Sequence, residues 1–198
     1  MRFPLSIQRL IDELSKLPTV GPKTAERYTF YLLKQTPADL NRLSQAINEL
    51  KEKTLVCANC FSMSEKNPCE ICSDTKRQTN TLCIVANFQD LIAVESTKQY
   101  NGLYFVLGGE LNHLDGTGPE QLNINYLINK LNSKKITELI LALSPTIEGE
   151  TTAMYLSKLA KPLNIKTTRL ARGLPMGADL EYVDELTLSN AFKFRNEM

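Results

Sequence analysis

The stretch CANCFSMSEKNPCEIC, residues 57–72, separates two parts of the chain that differ in their apolar patterns. It holds four of the five cysteines in the spacing C-x2-C-x8-C-x2-C: Cys57, Cys60, Cys69 and Cys72. Two such pairs form two knuckle turns, so the spacing predicts one structural Zn²⁺ per chain held by four thiolates. Coincidental or redox-active cysteines are the alternative. The odd cysteine count argues against a disulfide framework, and Cys83, in an apolar run, is expected in the core.

The segment before the cysteines has the pattern of three helices. Apolar residues three and four apart predict one over residues 5–17, and a second begins at Pro22 and continues to about residue 34. The turn between them predicts a helix-hairpin-helix in which Gly21 allows close backbone approach and a positive φ. A third helix has Thr36 as its N-cap and an apolar stripe of Leu40, Leu43, Ile47 and Leu50.

The start of the second helix is basic. Lys23 and Arg27 are four residues apart and therefore share a face of the helix, where both can reach phosphates. Free N–H groups at a helix start add to such a site. We therefore expect sequence-independent DNA binding here; an ordinary solvated helix face is the alternative.

The part after the cysteines alternates short apolar runs with helical segments. The runs over residues 82–86, 104–107, 139–143 and 165–170 predict a parallel sheet covered by helices on both faces. The fold class is therefore multi-module α/β. Its predicted modules are a helix-hairpin-helix (residues 1–53), a zinc finger (54–78), a βα domain (79–172) and a C-terminal tail (173–198).

The ends of the predicted strands carry few candidates for catalysis. Glu148 and Glu150 follow the third strand, but the first strand ends at Ala86, where a third metal-binding carboxylate would be needed. The two glutamates could bind Mg²⁺, interact with a helix dipole or face a partner protein, and the last is favoured. His113 has no motif partner and is expected in a loop.

The composition is that of a globular protein, with 42% hydrophobic and 23% charged residues in 198. The longest aliphatic run, residues 139–143, is far shorter than the roughly 20 residues of a membrane-spanning helix. Charges interrupt the N-terminus, so no secretory segment is predicted and a cytoplasmic location is expected. The sequence has no G-x-x-x-x-G-K-[ST] loop, so ATP hydrolysis is not predicted.

Taken in order, these features resemble the bacterial RecR family of recombination mediator proteins over almost the whole chain. The resemblance is carried by the four cysteines and by four motifs: LPTVGPKTA (17–25), LDGTGP (114–119), SPTIEGETTA (144–153) and ARGLPMGADLEYVD (171–184). The βα domain then resembles a Toprim domain. The last motif resembles the family's Walker B-like segment, without a Walker A partner.

The resemblance implies a non-enzymatic DNA-repair protein. Such proteins act with RecO and RecF to load RecA on single-stranded DNA coated with SSB, as ring-like homo-oligomers, either dimers or tetramers. Lys23 and Arg27 match the family's DNA-contacting positions, the four cysteines match its zinc ligands, and Glu148 and Glu150 match acidic positions facing RecO.

The chain departs from the family pattern at three strand ends, where it has Ala86, Glu110 and Ser144. Two alternative functions stay open. A Toprim-type nuclease or primase dependent on Mg²⁺ would need carboxylates from two strand ends. A zinc-containing RNA-binding adaptor would need exposed aromatic residues on a sheet face.

Overall fold

The computed structural model describes residues 3–133 and 135–195. The chain forms two compact units, an N-terminal unit of residues 1–54 and a C-terminal unit of residues 55–198. No helix in the described ranges has the length and apolar character needed to cross a membrane. Residues 196–198 of the predicted tail lie outside the described residues.

The N-terminal unit contains the predicted helices: α1 (Leu5–Leu14), α2 (Pro22–Leu32) and α3 (Pro37–Lys53). Ile11 of α1 and Ala25 and Thr29 of α2 are buried where these two helices pack. The N-cap prediction for α3 is confirmed, because the Thr36 hydroxyl accepts a hydrogen bond from the Asp39 amide at 3.3 Å. The predicted apolar stripe of α3 is exposed to solvent, at Leu40, Leu43, Ile47 and Leu50.

The turn between α1 and α2 differs from the prediction at Gly21. Its φ is −79° and its ψ 168°, so it is extended and serves as the N-cap of α2. The physical reason is Pro22, because a proline disfavours helical or left-handed geometry in the residue before it. The positive φ in this turn belongs to Thr19, at 66°.

The C-terminal unit begins with a small zinc-finger hairpin, β1 (Leu55–Val56) paired with β2 (Met63–Ser64), followed by α4 (Glu70–Ser73). A parallel α/β layer follows. In chain order its elements are β3 (Gln78–Val85), α5 (Phe88–Ser96), β4 (Gly102–Val106), α6 (Ile124–Asn132), β5 (Glu138–Leu141), α7 (Ile147–Ala160) and β6 (Lys166–Arg169). The tail ends in α8 (Glu185–Lys193).

The sheet has the order β4-β3-β5-β6, and all three pairings are parallel. This confirms the α/β class and the predicted parallel sheet. Alternate residues of its strands enter two cores on opposite faces. One contains Leu82, Ile84 and residues of α6 and α7, and the other contains Cys83, Val85 and residues of α5. The sheet is therefore covered by helices on both faces, as predicted.

The helix after β5 begins only a few residues beyond the strand end. Thr146 caps it by accepting the Gly149 amide at 3.0 Å, so α7 starts at Ile147. Glu148 and Glu150 consequently lie in its first turn and not in the preceding loop. Gly149 also permits close packing, since a Cβ there would lie 2.0 Å from the Ser144 carbonyl oxygen.

Candidate zinc centre and nucleic-acid interface

The four predicted zinc ligands come together at one point. The Sγ atoms of Cys57, Cys60, Cys69 and Cys72 all lie within 4.8 Å of one another. The first three residues are buried and Cys72 is half-buried. Cys60 Sγ and Cys69 Sγ are 3.5 Å apart, close to the about 3.8 Å expected between sulfurs on a tetrahedral zinc with Zn–S bonds of about 2.3 Å. The donor set therefore fits zinc, and it leaves no position open for substrate.

Backbone N–H groups fix the sulfurs. The Cys69 amide donates to Cys57 Sγ at 3.3 Å, and the Cys72 amide donates to Cys69 Sγ at 3.4 Å. The hydrogen bond with Cys72 lowers the pKa of Cys60 to about 5, since it favours the thiolate. By contrast, burial raises the pKa of Cys83 to about 12, as expected for an inert core thiol.

The first knuckle is joined to the sheet by Phe61, which follows Cys60 and has a φ of 62°. Its ring centroid lies 5.3 Å from that of Phe105 in β4 and 5.0 Å from that of Tyr126 in α6. The Cys60 carbonyl also accepts the Val106 amide at 2.8 Å. This contact was not predicted from the sequence, where its only signal is an aromatic residue directly after a ligand pair.

The second knuckle is joined to the sheet by Arg77. Its guanidinium bonds to both carboxylate oxygens of Glu95 in α5 and donates to the Gly102 carbonyl at 3.2 Å. This interaction lowers the pKa of Glu95, and it raises that of Arg77. The side chain of Arg77 is only 11% exposed, so the pair links the end of the finger to the sheet in a largely dry setting.

The predicted DNA-contacting residues lie at the exposed start of α2. The Lys23 side chain is 93% exposed and reaches Glu26 at 3.2 Å, a pair that solvent weakens. The Arg27 guanidinium lies 5.9 Å from the ring centroid of Tyr28. A Cβ at Gly21 would meet no atom within 4 Å, so a ligand could approach this backbone closely. The structure thus places both cations on an open surface.

The strand ends hold three glutamates in different settings. Glu150 is paired with Arg169 at 3.3 Å and with Arg172, which compensates its charge. Glu148 is half-buried and has no ion pair within residues 3–133 and 135–195. Burial raises the pKa of Glu110, which accepts from Thr146 at 3.4 Å while its Oε1 is buried without a hydrogen-bond partner.

These glutamates do not converge. Across the described ranges, the four cysteines form the only group of three or more Cys, His, Asp and Glu residues with ligand atoms close enough to share an ion. At the first strand end, Asn87 and Asp90 form a capping box for α5. His113 lies exposed in a loop, as predicted.

Comparison with known proteins matches every part of the chain. Family models match at residues 7–51 (RecR, helix-hairpin-helix), 56–74 (RecR, zinc finger domain of the four-cysteine type), 80–171 (Toprim domain) and 173–196 (RecR, C-terminal). A protein named Recombination protein RecR from Bifidobacterium animalis subsp. lactis is 51% identical over 98% of this chain and 96% of its own. One with the same name from Staphylococcus saprophyticus is 46% identical over the full length of both.

Proposed function

The chain belongs to the RecR family, and from that premise we propose that it is a non-enzymatic DNA-binding mediator of recombinational repair. In this role it acts with RecO and RecF in the cytoplasm to load RecA on single-stranded DNA coated with SSB, as a ring-like homo-oligomer. The observation that carries the proposal is the exposed pair of cations at the start of α2, in a chain similar throughout to proteins named for recombination.

The hairpin supplies DNA affinity without reading sequence. Lys23 and Arg27 are exposed and one helical turn apart, so each can neutralise a phosphate. In the described part of the chain, neither has a partner that DNA would have to displace from a buried position. Binding through phosphates suits a mediator that must act on any DNA sequence.

The zinc centre acts through structure. Zinc, when bound, supplies a four-thiolate crosslink that holds two knuckle turns together. Phe61 and Arg77 then connect the knuckles to Phe105 in β4 and to Glu95 in α5. We assign the four cysteines no part in contacting DNA.

We assign Glu148 and Glu150 to contact with RecO. Both stand in the first turn of α7, at the carboxyl end of the sheet. Because Glu150 is already paired with Arg169 and Arg172, Glu148 supplies the larger share of uncompensated negative charge. A basic surface on RecO would complement it.

DNA binding is tested by incubating the purified protein with plasmid DNA and Mg²⁺. The proposal predicts a mobility shift without nicking. Nicking that depends on Mg²⁺ would support a Toprim-type enzyme instead. Solution mass measured with and without DNA tests the ring, since ring closure requires an oligomer in at least one of the two conditions.

RecO binding is tested with Glu148→Gln and Glu150→Gln together, compared with Glu52→Gln, an exposed glutamate of the N-terminal unit. The double variant should associate with RecO more slowly and with less salt sensitivity, since exposed charges mainly steer encounter. The control should behave as the unaltered protein does. Normal RecO capture by the double variant would refute this assignment while leaving the DNA-binding proposal intact.

A further inference from the structure

Helix α2 exposes aromatic rings beside its cations. The exposed fractions are 42% for Tyr28, 39% for Phe30 and 63% for Tyr31. Phe30 packs edge-on against Phe3, with ring centroids 5.6 Å apart. Tyr31 has no ring partner, cation or side-chain hydrogen bond within the described ranges. The Tyr31 ring is therefore exposed and free to contact a ligand.

Tyr31 continues the line of the two cations. Lys23, Arg27 and Tyr31 are successively four residues apart, so they form one stripe that advances about 6 Å per step along the helix. Lys34 follows in the turn after α2, exposed and without an ion pair in the described part of the chain. The stripe therefore places a flat aromatic ring between positive charges.

The adjacent ring is held by a cation. The guanidinium of Arg27 lies over the ring of Tyr28, which orients an exposed tyrosine on the neighbouring line of the helix. Cations that track a phosphate backbone, together with aromatic rings, form the surface to which single strands bind, because unpaired bases stack on the rings. In a duplex, the faces of the bases are stacked between neighbouring base pairs. An aromatic ring outside the duplex therefore cannot stack on them.

We propose that Tyr31, supported by Tyr28, is a base-stacking site on α2, and that the hairpin therefore binds single-stranded DNA in preference to duplex. The inference rests on the proposed function, in which the hairpin contacts DNA. Lys23 and Arg27 supply affinity common to both DNA forms, and Tyr31 supplies the difference between them.

The test compares Tyr31→Ala, Tyr31→Phe and Tyr182→Ala, an exposed tyrosine of the C-terminal unit, in the full zinc-loaded chain. The probes are a fluorescein-labelled 20-mer of deoxythymidine, an abasic 20-mer and a 20-base-pair duplex, followed by anisotropy. Tyr31→Ala should weaken binding to the deoxythymidine strand about fivefold or more and leave the other two probes unchanged. Tyr31→Phe and Tyr182→Ala should bind all three as the unaltered protein does.

Salt dependence separates stacking from charge. Tyr31→Ala should leave the slope of log K against log salt unchanged, whereas Lys23→Gln should reduce its magnitude by about 0.9 on duplex and about 0.7 on single-stranded DNA. An equal loss on all three probes, no loss on any, or a changed solution mass would overturn the stacking proposal. If Lys23→Gln also leaves both forms unaffected, the hairpin does not bind DNA, and the proposed function fails with it.

Discussion

The zinc knuckles and the helix-hairpin-helix are both specified by short motifs, but they differ in whether the chain itself supplies partners for their functional side chains. The knuckles bury their cysteines, bond their sulfurs to backbone amides and join the sheet through Phe61. The hairpin exposes Lys23 and Arg27 and, among the residues that the structure describes, gives them one weak ion pair. The first site is completed by one ion and the chain itself, whereas in the proposed function the second is completed by the phosphates of DNA.

The largest effect should come from opening the zinc site. Cys57→Ser removes a buried ligand, so the protein should lose zinc and its Tm should fall by about 10 °C or more. Cys83→Ala is the matched control, a buried cysteine outside the site, and should keep one zinc per chain. Elemental analysis and thermal unfolding measure both. Full zinc content in Cys57→Ser would contradict the assignment of Cys57 as a zinc ligand, on which the comparison of the two regions depends.

A smaller effect should follow from releasing the finger from the sheet. Glu95→Gln removes the bidentate partner of the largely buried Arg77 guanidinium and leaves it the more distant Asp74, 3.7 Å from its Nε, so it should cost about 1–3 kcal/mol of stability at neutral pH. Because Arg77 lowers the pKa of Glu95, this contribution is present above a pH of about 4.3 and is lost as the pH falls through the folded-state pKa. Denaturant unfolding at several pH values measures it.

The control for that experiment is Glu13→Gln in the N-terminal unit. Its partner Lys16 lies 2.7 Å away, but both side chains are 68% exposed. Solvent screening should make this loss unmeasurable. If Glu13→Gln and Glu95→Gln lower the stability by the same amount, burial does not determine how much these two ion pairs contribute.

The smallest effect should be a gain in stability, caused by removing the half-buried charge of Glu110. Burial raises the pKa of Glu110, so its charged form destabilises the folded protein at neutral pH. Glu110→Gln should therefore raise stability by about 1 kcal/mol at pH 7, and the gain should vanish below a pH of about 4.3, where the carboxyl is protonated in both states. Glu150→Gln, which breaks pairs with Arg169 and Arg172, should instead lower stability.

The sequence predicted what short-range patterns encode. Fixed cysteine spacing predicted the zinc site, and apolar runs predicted all four strands of the sheet, although Gln78–Val85 begins earlier than expected. Arg77–Glu95 and Glu150–Arg169 could not be predicted, because their partners are 18 and 19 residues apart and meet only through sheet topology. The positive φ that Gly21 would allow is not adopted, because Pro22 favours an extended conformation in the residue before it.

DNA binding by the hairpin is tested most directly by the salt dependence of binding in Lys23→Gln/Arg27→Gln, measured together with zinc content. Lys158→Gln/Lys161→Gln, two exposed lysines of the C-terminal unit, is the matched control. If the hairpin binds phosphates, the hairpin variant keeps one zinc per chain and loses about two units of slope on duplex DNA, while the control keeps its slope. An unchanged slope in the hairpin variant, or an equal loss in the control, would contradict this role of the hairpin.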